Sequence, residues 1–147
     1  MASQKRFNFG RAGTLFNEKT LKGAFTKVVF DPTEQQRKAG KDWAKQVRHP
    51  NFRQANETAV RGEFIQTVLV TLLGYTPYRA GETFTVAAEE ALGKGAVDTA
   101  LGTFSGSERT VLAPFELKGP GTEDLDAIMP GRNKSPVQQA WEYAIDA

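Results

Sequence analysis

The stretch from residue 96 to residue 118 constrains the fold of this chain more than any other part of the sequence. β-Branched and apolar residues lie on both sides of a small polar cluster at residues 105–107 (Ser-Gly-Ser). That pattern predicts two short strands joined by a tight turn. Charged side chains interrupt both strands, because Asp98 lies on the first and Glu116 and Lys118 lie on the second. The stretch therefore predicts a hairpin whose strands include these three charged residues.

The register of this hairpin decides whether the three charges meet. Directly opposed residues of antiparallel strands share a face. A hairpin centred on Ser107, with a three-residue loop at Gly106–Glu108, would therefore set Asp98 opposite Glu116. A centre half a residue earlier would pair Asp98 with Phe115 and separate the charges, because a one-residue slip inverts the two faces.

Two carboxylates beside an ammonium group form a ligand set that suits Mg²⁺. This ion usually takes one or two protein carboxylates and completes its octahedron with water and substrate phosphate. It can polarise a phosphodiester and lower the pKa of an attacking water. Lys118 would hold that water or stabilise the charge that develops on phosphorus. An alternative stays open, namely an exposed hairpin with ordinary surface charges.

Composition narrows the possible classes of function. The 147 residues suit one domain with a real core, and the net charge of +2 means that any basic surface must be local. The chain has no cysteine, which excludes disulfides, thiolate metal sites and cysteine nucleophiles. A single histidine, His49, argues against a Ser-His-Asp triad or a multi-histidine zinc site.

No targeting pattern is found in the sequence. The basic residues Lys5 and Arg6 are not followed by an apolar run, and the longest apolar run, at residues 68–73, is too short to span a bilayer. We therefore expect a cytoplasmic protein with no membrane partner.

Three helices are predicted ahead of the hairpin. The first covers about residues 14–28, and the second begins with a capping-box pattern, Thr33 and Gln36, and runs to about residue 48. Five lysines and arginines make the second helix basic. This is typical either of a helix along a phosphate backbone or of a solvated face. The third, at residues 56–73, has a wide apolar stripe and ends at Gly74.

Two charged residues, Glu57 and Arg61, fall within the apolar stripe of the third helix. Burying either charge unpaired is expensive. Two interpretations stay open: an i,i+4 ion pair at the start of the stripe, or a carboxylate, Glu57, that faces an active site from below the sheet.

A three-stranded meander is expected to follow that helix. A strand near residues 83–88 precedes the hairpin, so three consecutive strands come after a long amphipathic helix, which predicts an α+β fold. Pro114 lies within the last strand and predicts an edge position or a bulge there, because proline cannot donate to a central ladder.

The last helix begins with a second capping-box pattern, in which Ser135 is the cap, Pro136 fills the first position and Gln138 completes the box. The predicted buried stripe consists of Val137, Ala140, Trp141, Ala144 and Ile145. Gln139 and Tyr143 lie on the other side of the helix, where both can hydrogen-bond phosphates or bases. Arg132 and Lys134, in the preceding loop, are predicted phosphate contacts.

Four of these motifs stand in an order that resembles the PD-(D/E)xK nuclease superfamily. The order is Glu57…Asp98…Glu116-Leu117-Lys118…Gln139-x-x-x-Tyr143, as in the variety with a Gln-x-x-x-Tyr motif on the helix after the catalytic strand. Residues 56–61 look like the first nuclease helix of type I restriction subunits and of single-chain type IIG restriction-modification enzymes. Residues 115–120 and 135–144 look like the N-terminal nuclease part of the type IIG group. The resemblance covers about residues 56–144.

The resemblance implies a fold and a set of roles. The fold would be an α+β restriction-endonuclease-like core at residues 53–147, a small mixed β-sheet flanked by helices, after an N-terminal helical extension at residues 1–52. The implied roles are Mg²⁺ binding by Asp98, Glu116 and the Leu117 carbonyl, service of the attacking water by Lys118, a helix carboxylate at Glu57, and DNA positioning by Gln139 and Tyr143. Val97 stands where the family often has a proline, a departure that is common in the superfamily.

The resemblance also implies partners. Double-stranded DNA would be the substrate, and dimerisation on DNA is expected because cutting both strands needs two active sites. Methyltransferase and target-recognition domains would follow in a longer parent chain, and S-adenosylmethionine would bind there. Two rival functions stay open: a recombination or repair nuclease of the same superfamily, and a non-catalytic DNA-binding or assembly module that keeps the fold.

Overall fold

The computed structural model describes residues 31–93 and 95–147, together with Gly23 and Thr26. Apart from those two positions, the predicted helix at residues 14–28 lies outside the described residues. Thr33–Ala147 forms one compact unit. Its elements are α1 (Glu34–Val47), a 3₁₀ turn (Pro50–Gln54), α2 (Glu57–Phe64), a π-helical segment (Ile65–Leu72), β1 (Phe84–Leu92), β2 (Gly95–Ser105), β3 (Glu108–Phe115) and α3 (Pro136–Asp146). The described chain is therefore α+β, as predicted.

Both predicted capping boxes are present. The Thr33 hydroxyl accepts a hydrogen bond from Gln36 N, and the Gln36 side chain accepts one from Thr33 N. Ser135 and Gln138 make the same reciprocal pair at the start of α3. Each box supplies acceptors for amide groups that a helix start otherwise leaves without a partner.

The long helix predicted at residues 56–73 is divided in two. Asn56 caps α2 through a 2.9 Å bond that its side chain accepts from Thr58 N. After Phe64 the backbone widens into the π-helical segment, and Gly74, at a φ of 81°, lies where the helix was predicted to end. The wider turn changes which side chains face the sheet, so Leu69 alone is fully buried among residues 65–72. None of the helices in the described ranges has the length and apolar character that crossing a bilayer requires.

The sheet has the order β1-β2-β3 with both pairs antiparallel. The prediction of a mixed sheet is therefore wrong for the described strands, because short connections join neighbouring strands and short connections allow only antiparallel pairing. Strand β1 begins one residue later than predicted and continues to Leu92. Pro114 lies on the edge strand β3, beside a register shift, as predicted.

The hairpin reaches its register in an unexpected way. Ser105 pairs with Glu108, so the loop has two residues and the predicted three-residue loop is wrong. The register then shifts by one at Leu112, which has no partner in β2, and Thr99 pairs with Phe115 beyond the shift. The loop is one residue shorter than predicted and β3 contains one extra residue, so their effects on the strand register cancel. The next positions along this register are Asp98 and Glu116.

Two apolar clusters cover the two faces of the sheet. The neighbouring cross-strand pairs Val86–Leu101 and Ala87–Ala100 point to opposite faces. One cluster contains Phe84, Ala87, Val97, Ala100 and Phe104, with Tyr143 of α3 packed against it. The other contains Leu69, Val86 and Leu101, with Phe64 and Ile65 packed against it. The sheet thus lies between α3 and the long helical segment.

Helix α3 packs by the side opposite to the one predicted. Trp141 is 69% exposed, and Val137 and Ile145 are exposed as well, whereas Gln139 is only 3% exposed. The ring of Tyr143 lies over Gly95 at the start of β2, where a Cβ would come within 2.9 Å of its hydroxyl. The buried side predicted from the apolar stripe of this helix is therefore wrong. The sheet instead accommodates the Tyr143 ring and buries the hydrogen-bonded amide of Gln139.

Helix α1 packs against the π-helical segment. The indole ring of Trp43 contacts the rings of Phe52 and Phe64 at centroid distances of 6.0 and 5.9 Å. The side-chain amide of Gln36 donates a 3.0 Å hydrogen bond to the carbonyl of Leu72. These contacts place the side of α1 that carries Gln36 and Trp43 against the core.

Candidate functional site

The segment that follows β3 is held by two carboxylates from other elements. Asp98 Oδ2, on β2, accepts a 2.8 Å hydrogen bond from Leu117 N. Glu57 Oε2, at the start of α2, accepts a 2.6 Å hydrogen bond from Gly119 N. Strand pairing ends at Phe115, so these side chains take the place of the missing ladder partners. Residues 116–119 are thereby fixed between β2 and α2.

Arg61 of α2 joins two further carboxylates. Its Nη1 donates to Asp98 Oδ1 at 2.7 Å, and its Nη2 donates to Glu89 Oε1 at 3.0 Å. The predicted alternative of an ion pair with Glu57 is therefore wrong, because each of the two residues binds a different partner. A guanidinium group suits this position, since its fork of donors can serve two acceptors at once.

Glu89 adopts a left-handed backbone conformation, at a φ of 53°, in the middle of β1. It lies between the pairs Ala88–Thr99 and Glu90–Val97, which brings it beside Asp98. This conformation costs a non-glycine residue about 1–3 kcal/mol and is concentrated at functional sites. The sequence carried no signal for Glu89. For Arg61 the only signal was its place in an apolar stripe, which called for a partner but did not identify one.

Glu116 and Lys118 form a buried ion pair. Lys118 Nζ lies 2.5 Å from Glu116 Oε1, and the side chains of Lys118 and Glu116 are only 16% and 4% exposed respectively. Residues two apart in an extended segment share a side, which explains their contact. A buried lysine keeps its charge only where a carboxylate compensates the loss of water. The pair therefore forms a local charge site at the end of the hairpin.

Two cavities open on either side of this pair. Lys118 lines one of about 200 Å³, together with Trp43 and Arg61. It also lines one of about 350 Å³ that includes Glu116 and reaches Val137 on α3. The smaller volume admits waters or an ion but not a nucleotide, so a large substrate has to approach from outside the fold.

The predicted metal ligands form a suitable set by their chemistry. Asp98, Glu116 and the Leu117 carbonyl are hard oxygen donors, and among the described residues each oxygen of Asp98 accepts a single hydrogen bond. Within the described ranges, no three His, Cys, Asp or Glu side chains converge closely enough to hold a metal ion. Mg²⁺ needs only one or two protein carboxylates, so the donor set fits this ion. The positive charge of Arg61 beside Asp98 opposes the binding of a metal ion by that carboxylate.

The predicted DNA-contacting residues form a second hydrogen-bonded group. Arg132 Nη1 donates to Gln139 Oε1 at 3.2 Å, and Gln139 Nε2 donates to the Tyr143 hydroxyl at 3.4 Å. Lys134 forms an ion pair with Glu142. The prediction that Gln139 and Tyr143 point away from the core is wrong. Arg132 is the exposed end of this group.

Comparisons of this chain with protein-family models, with curated proteins and with solved structures found no match.

Proposed function

We propose that this protein is the Mg²⁺-dependent DNA endonuclease domain of a restriction-modification protein, with a restriction-endonuclease-like core. The observation that carries the proposal is the buried Glu116–Lys118 pair, held next to the Asp98 carboxylate by the Asp98–Leu117 hydrogen bond. In the proposed phosphodiester hydrolysis, acidic oxygens would hold the metal ion and an ammonium group would stabilise the developing negative charge. Here three neighbouring positions of the fold supply them.

Each residue has a distinct role in this proposal. Asp98, Glu116 and the Leu117 carbonyl hold Mg²⁺, which when bound supplies the charge that polarises the phosphate and activates water. Lys118 donates a hydrogen bond to the attacking water or to a phosphate oxygen and stabilises negative charge there. Glu57 does not touch substrate. It holds the Gly119 amide and thereby keeps Lys118 in position.

The DNA contacts lie along α3 and the loop before it. Arg132 and Lys134 bind phosphates, Gln139 orients the Arg132 guanidinium, and the Tyr143 hydroxyl supports Gln139. Double-stranded DNA is the substrate, and two copies act on it to cut both strands. By the motif resemblance, methyltransferase and target-recognition domains of a longer chain supply sequence choice and bind S-adenosylmethionine.

One observation favours a second candidate, a non-catalytic DNA-binding or assembly module with the same fold. Arg61 lies 2.7 Å from Asp98 Oδ1, so a cation bound by Asp98 would lie close to this guanidinium. Like charges at such separations repel strongly away from bulk water. A protein that has given up metal binding would keep this ion pair for stability alone.

Nicking of supercoiled plasmid tests the proposal. The wild-type chain is expected to nick in Mg²⁺ or Mn²⁺ and to be inactive in EDTA. Lys118→Ala and Asp98→Asn are each expected to lower the rate by about 100-fold or more, the scale seen when one charge-stabilising donor is removed. Glu116→Gln is expected to act likewise.

Glu108→Gln is the matched control, because it makes the same change at an exposed position of the same hairpin. It should leave the rate unchanged. DNA binding without nicking in either metal would favour the non-catalytic module. Nicking that persists in Lys118→Ala would remove the proposed role of the lysine.

A further inference from the structure

Helix α1 carries a stripe of cations along one flank. Lys38, Lys41 and Lys45 lie on the helix and Arg48 is its C-cap residue. At 3.6 residues per turn, these four positions fall within about 80° of one another around the axis. We call them the basic stripe. The helix packs by another side, through Gln36 and Trp43, so the stripe is not part of the core contact.

The basic stripe is exposed and carries an excess of positive charge. All four side chains are exposed, and none makes an ion pair within the described part of the chain. Asp42 is the single acidic residue between residues 37 and 48, whereas the whole chain has a net charge of only +2. Like charges three and four residues apart destabilise a helix. Lys45 and Arg48 lie near the C-terminal end of α1, where cations interact favourably with the helix dipole, but Lys38 and Lys41 lie outside that last turn.

The geometry of the stripe matches a linear polyanion. From Lys38 to Arg48 the helix rises by about 15 Å, at 1.5 Å per residue. One strand of duplex DNA presents a phosphate about every 3.4 Å along its axis, so this length faces about four phosphates. A row of exposed lysines suits such a charge array, because phosphate contacts require charge but no fixed side-chain geometry.

We propose that the basic stripe of α1 binds the phosphate backbone of double-stranded DNA without reading its sequence. This inference rests on the proposed function for the choice of DNA, and it adds a contact surface on an element that carries none of the candidate site residues. Trp43, on the opposite side of the same helix, lines the cavity that Arg61 and Lys118 also line. DNA bound on the stripe therefore lies across α1 from the candidate site, as a separate contact surface.

The salt dependence of DNA binding tests the inference. Anisotropy of a labelled duplex is measured over a series of NaCl concentrations, with Ca²⁺ in place of Mg²⁺ to prevent cleavage. The triple variant Lys38→Gln, Lys41→Gln, Lys45→Gln is expected to bind more weakly at low salt. The slope of log K against log[salt] should become shallower by about 0.9 for each phosphate that is no longer neutralised, or about 2.7 for three.

Two controls separate the stripe from the total charge and from folding. The triple variant with arginine at the same three positions keeps the charges and should keep the slope. The single variants Lys45→Gln and Arg79→Gln each remove one exposed cation, and only the first should change the slope. Thermal unfolding followed by circular dichroism should be nearly unchanged in all of them.

An unchanged slope in the glutamine triple would overturn the inference, as would failure of the wild type to bind duplex DNA at low salt. Binding to phosphatidylserine vesicles but not to duplex DNA would assign the stripe to a membrane surface and overturn the inference as well.

Failure of the nuclease proposal would give a different result. In that case the wild type does not nick plasmid, while the stripe variants still lose their salt dependence.

Discussion

Arg61 is the residue on which the order of the candidate site depends most. Its guanidinium group is shared by Asp98 and Glu89, two carboxylates that neighbouring strands bring side by side. Without the guanidinium, the two would repel each other across the sheet. The Glu89 contact contributes little because its side chain is 72% exposed. Most of the stabilisation therefore comes from the contact with Asp98.

Substitution of Arg61 by alanine is expected to lower the free energy of unfolding by about 1–3 kcal/mol, because it removes the charged donor of a mostly buried carboxylate. Arg61→Lys should recover only part of this loss, since an ammonium is a single point charge and lacks the planar fork. Urea unfolding measures both. Arg79→Ala, at an exposed site, should stay within about 0.5 kcal/mol of the wild type. Equal effects at the two positions would contradict the bridging role.

Among the elements, the β2–β3 hairpin shows how the close approach of two backbones sets the pairing register of the strands. Gly102 lies at the register shift in β2, and a Cβ there would come within 1.9 Å of the carbonyl oxygen of Thr110. Glycine is therefore required at this position by the approach of β3. The shift it accommodates leads to the Thr99–Phe115 pair and so to the placement of Asp98.

The substitution Gly102→Ala is expected to destabilise the protein by about 1–3 kcal/mol, because the backbone of β3 has to move to admit one methyl group. Gly62→Ala makes the same change in α2, where nothing lies within 4 Å of the added carbon. It should stabilise the protein by about 0.5–1 kcal/mol through the lower entropy of the unfolded chain. Thermal or urea unfolding of the two variants should give shifts of opposite sign.

Local signals predicted the helix starts well, and they failed for features that depend on a neighbour. Thr33 with Gln36 and Ser135 with Gln138 are contacts over three residues, so the sequence contains both partners. The bulge at Leu112 and the packing side of α3 depend on strands that lie elsewhere in the chain. Periodicity counts apolar residues on one helix, and it cannot detect that Gly95 leaves space for a tyrosine ring.

In the molecule as a whole, α1 is packed onto the rest of the compact unit. The sequence placed this helix in an extension at residues 1–52, whereas Trp43 contacts Phe64, beyond that boundary. The aromatic contacts and the Gln36–Leu72 hydrogen bond couple α1 to the helical segment that covers the sheet. We therefore expect α1 to unfold together with the sheet.

A tryptophan probe can test this coupling. The chain has two tryptophans, so Trp141→Phe leaves Trp43 as the single indole, and the exposed position of Trp141 makes the substitution mild. Urea unfolding followed by Trp43 fluorescence should coincide with unfolding followed by far-ultraviolet circular dichroism, as in a two-state transition. A fluorescence transition at lower urea would show that α1 forms a separate, weaker unit.

The sequence alone determined the α+β class, both capping boxes, the end of the long helix at Gly74 and the edge position of Pro114, because each depends on residues that are close along the chain. The alternation of side chains along a strand also predicted that Glu116 and Lys118 share a face. Only the tertiary structure decided that Arg61 pairs with Asp98 and Glu89, that Glu57 holds the Gly119 amide, and that α3 buries Gln139 instead of Trp141. These contacts join residues far apart in the chain, and their geometry follows from packing that no local pattern records.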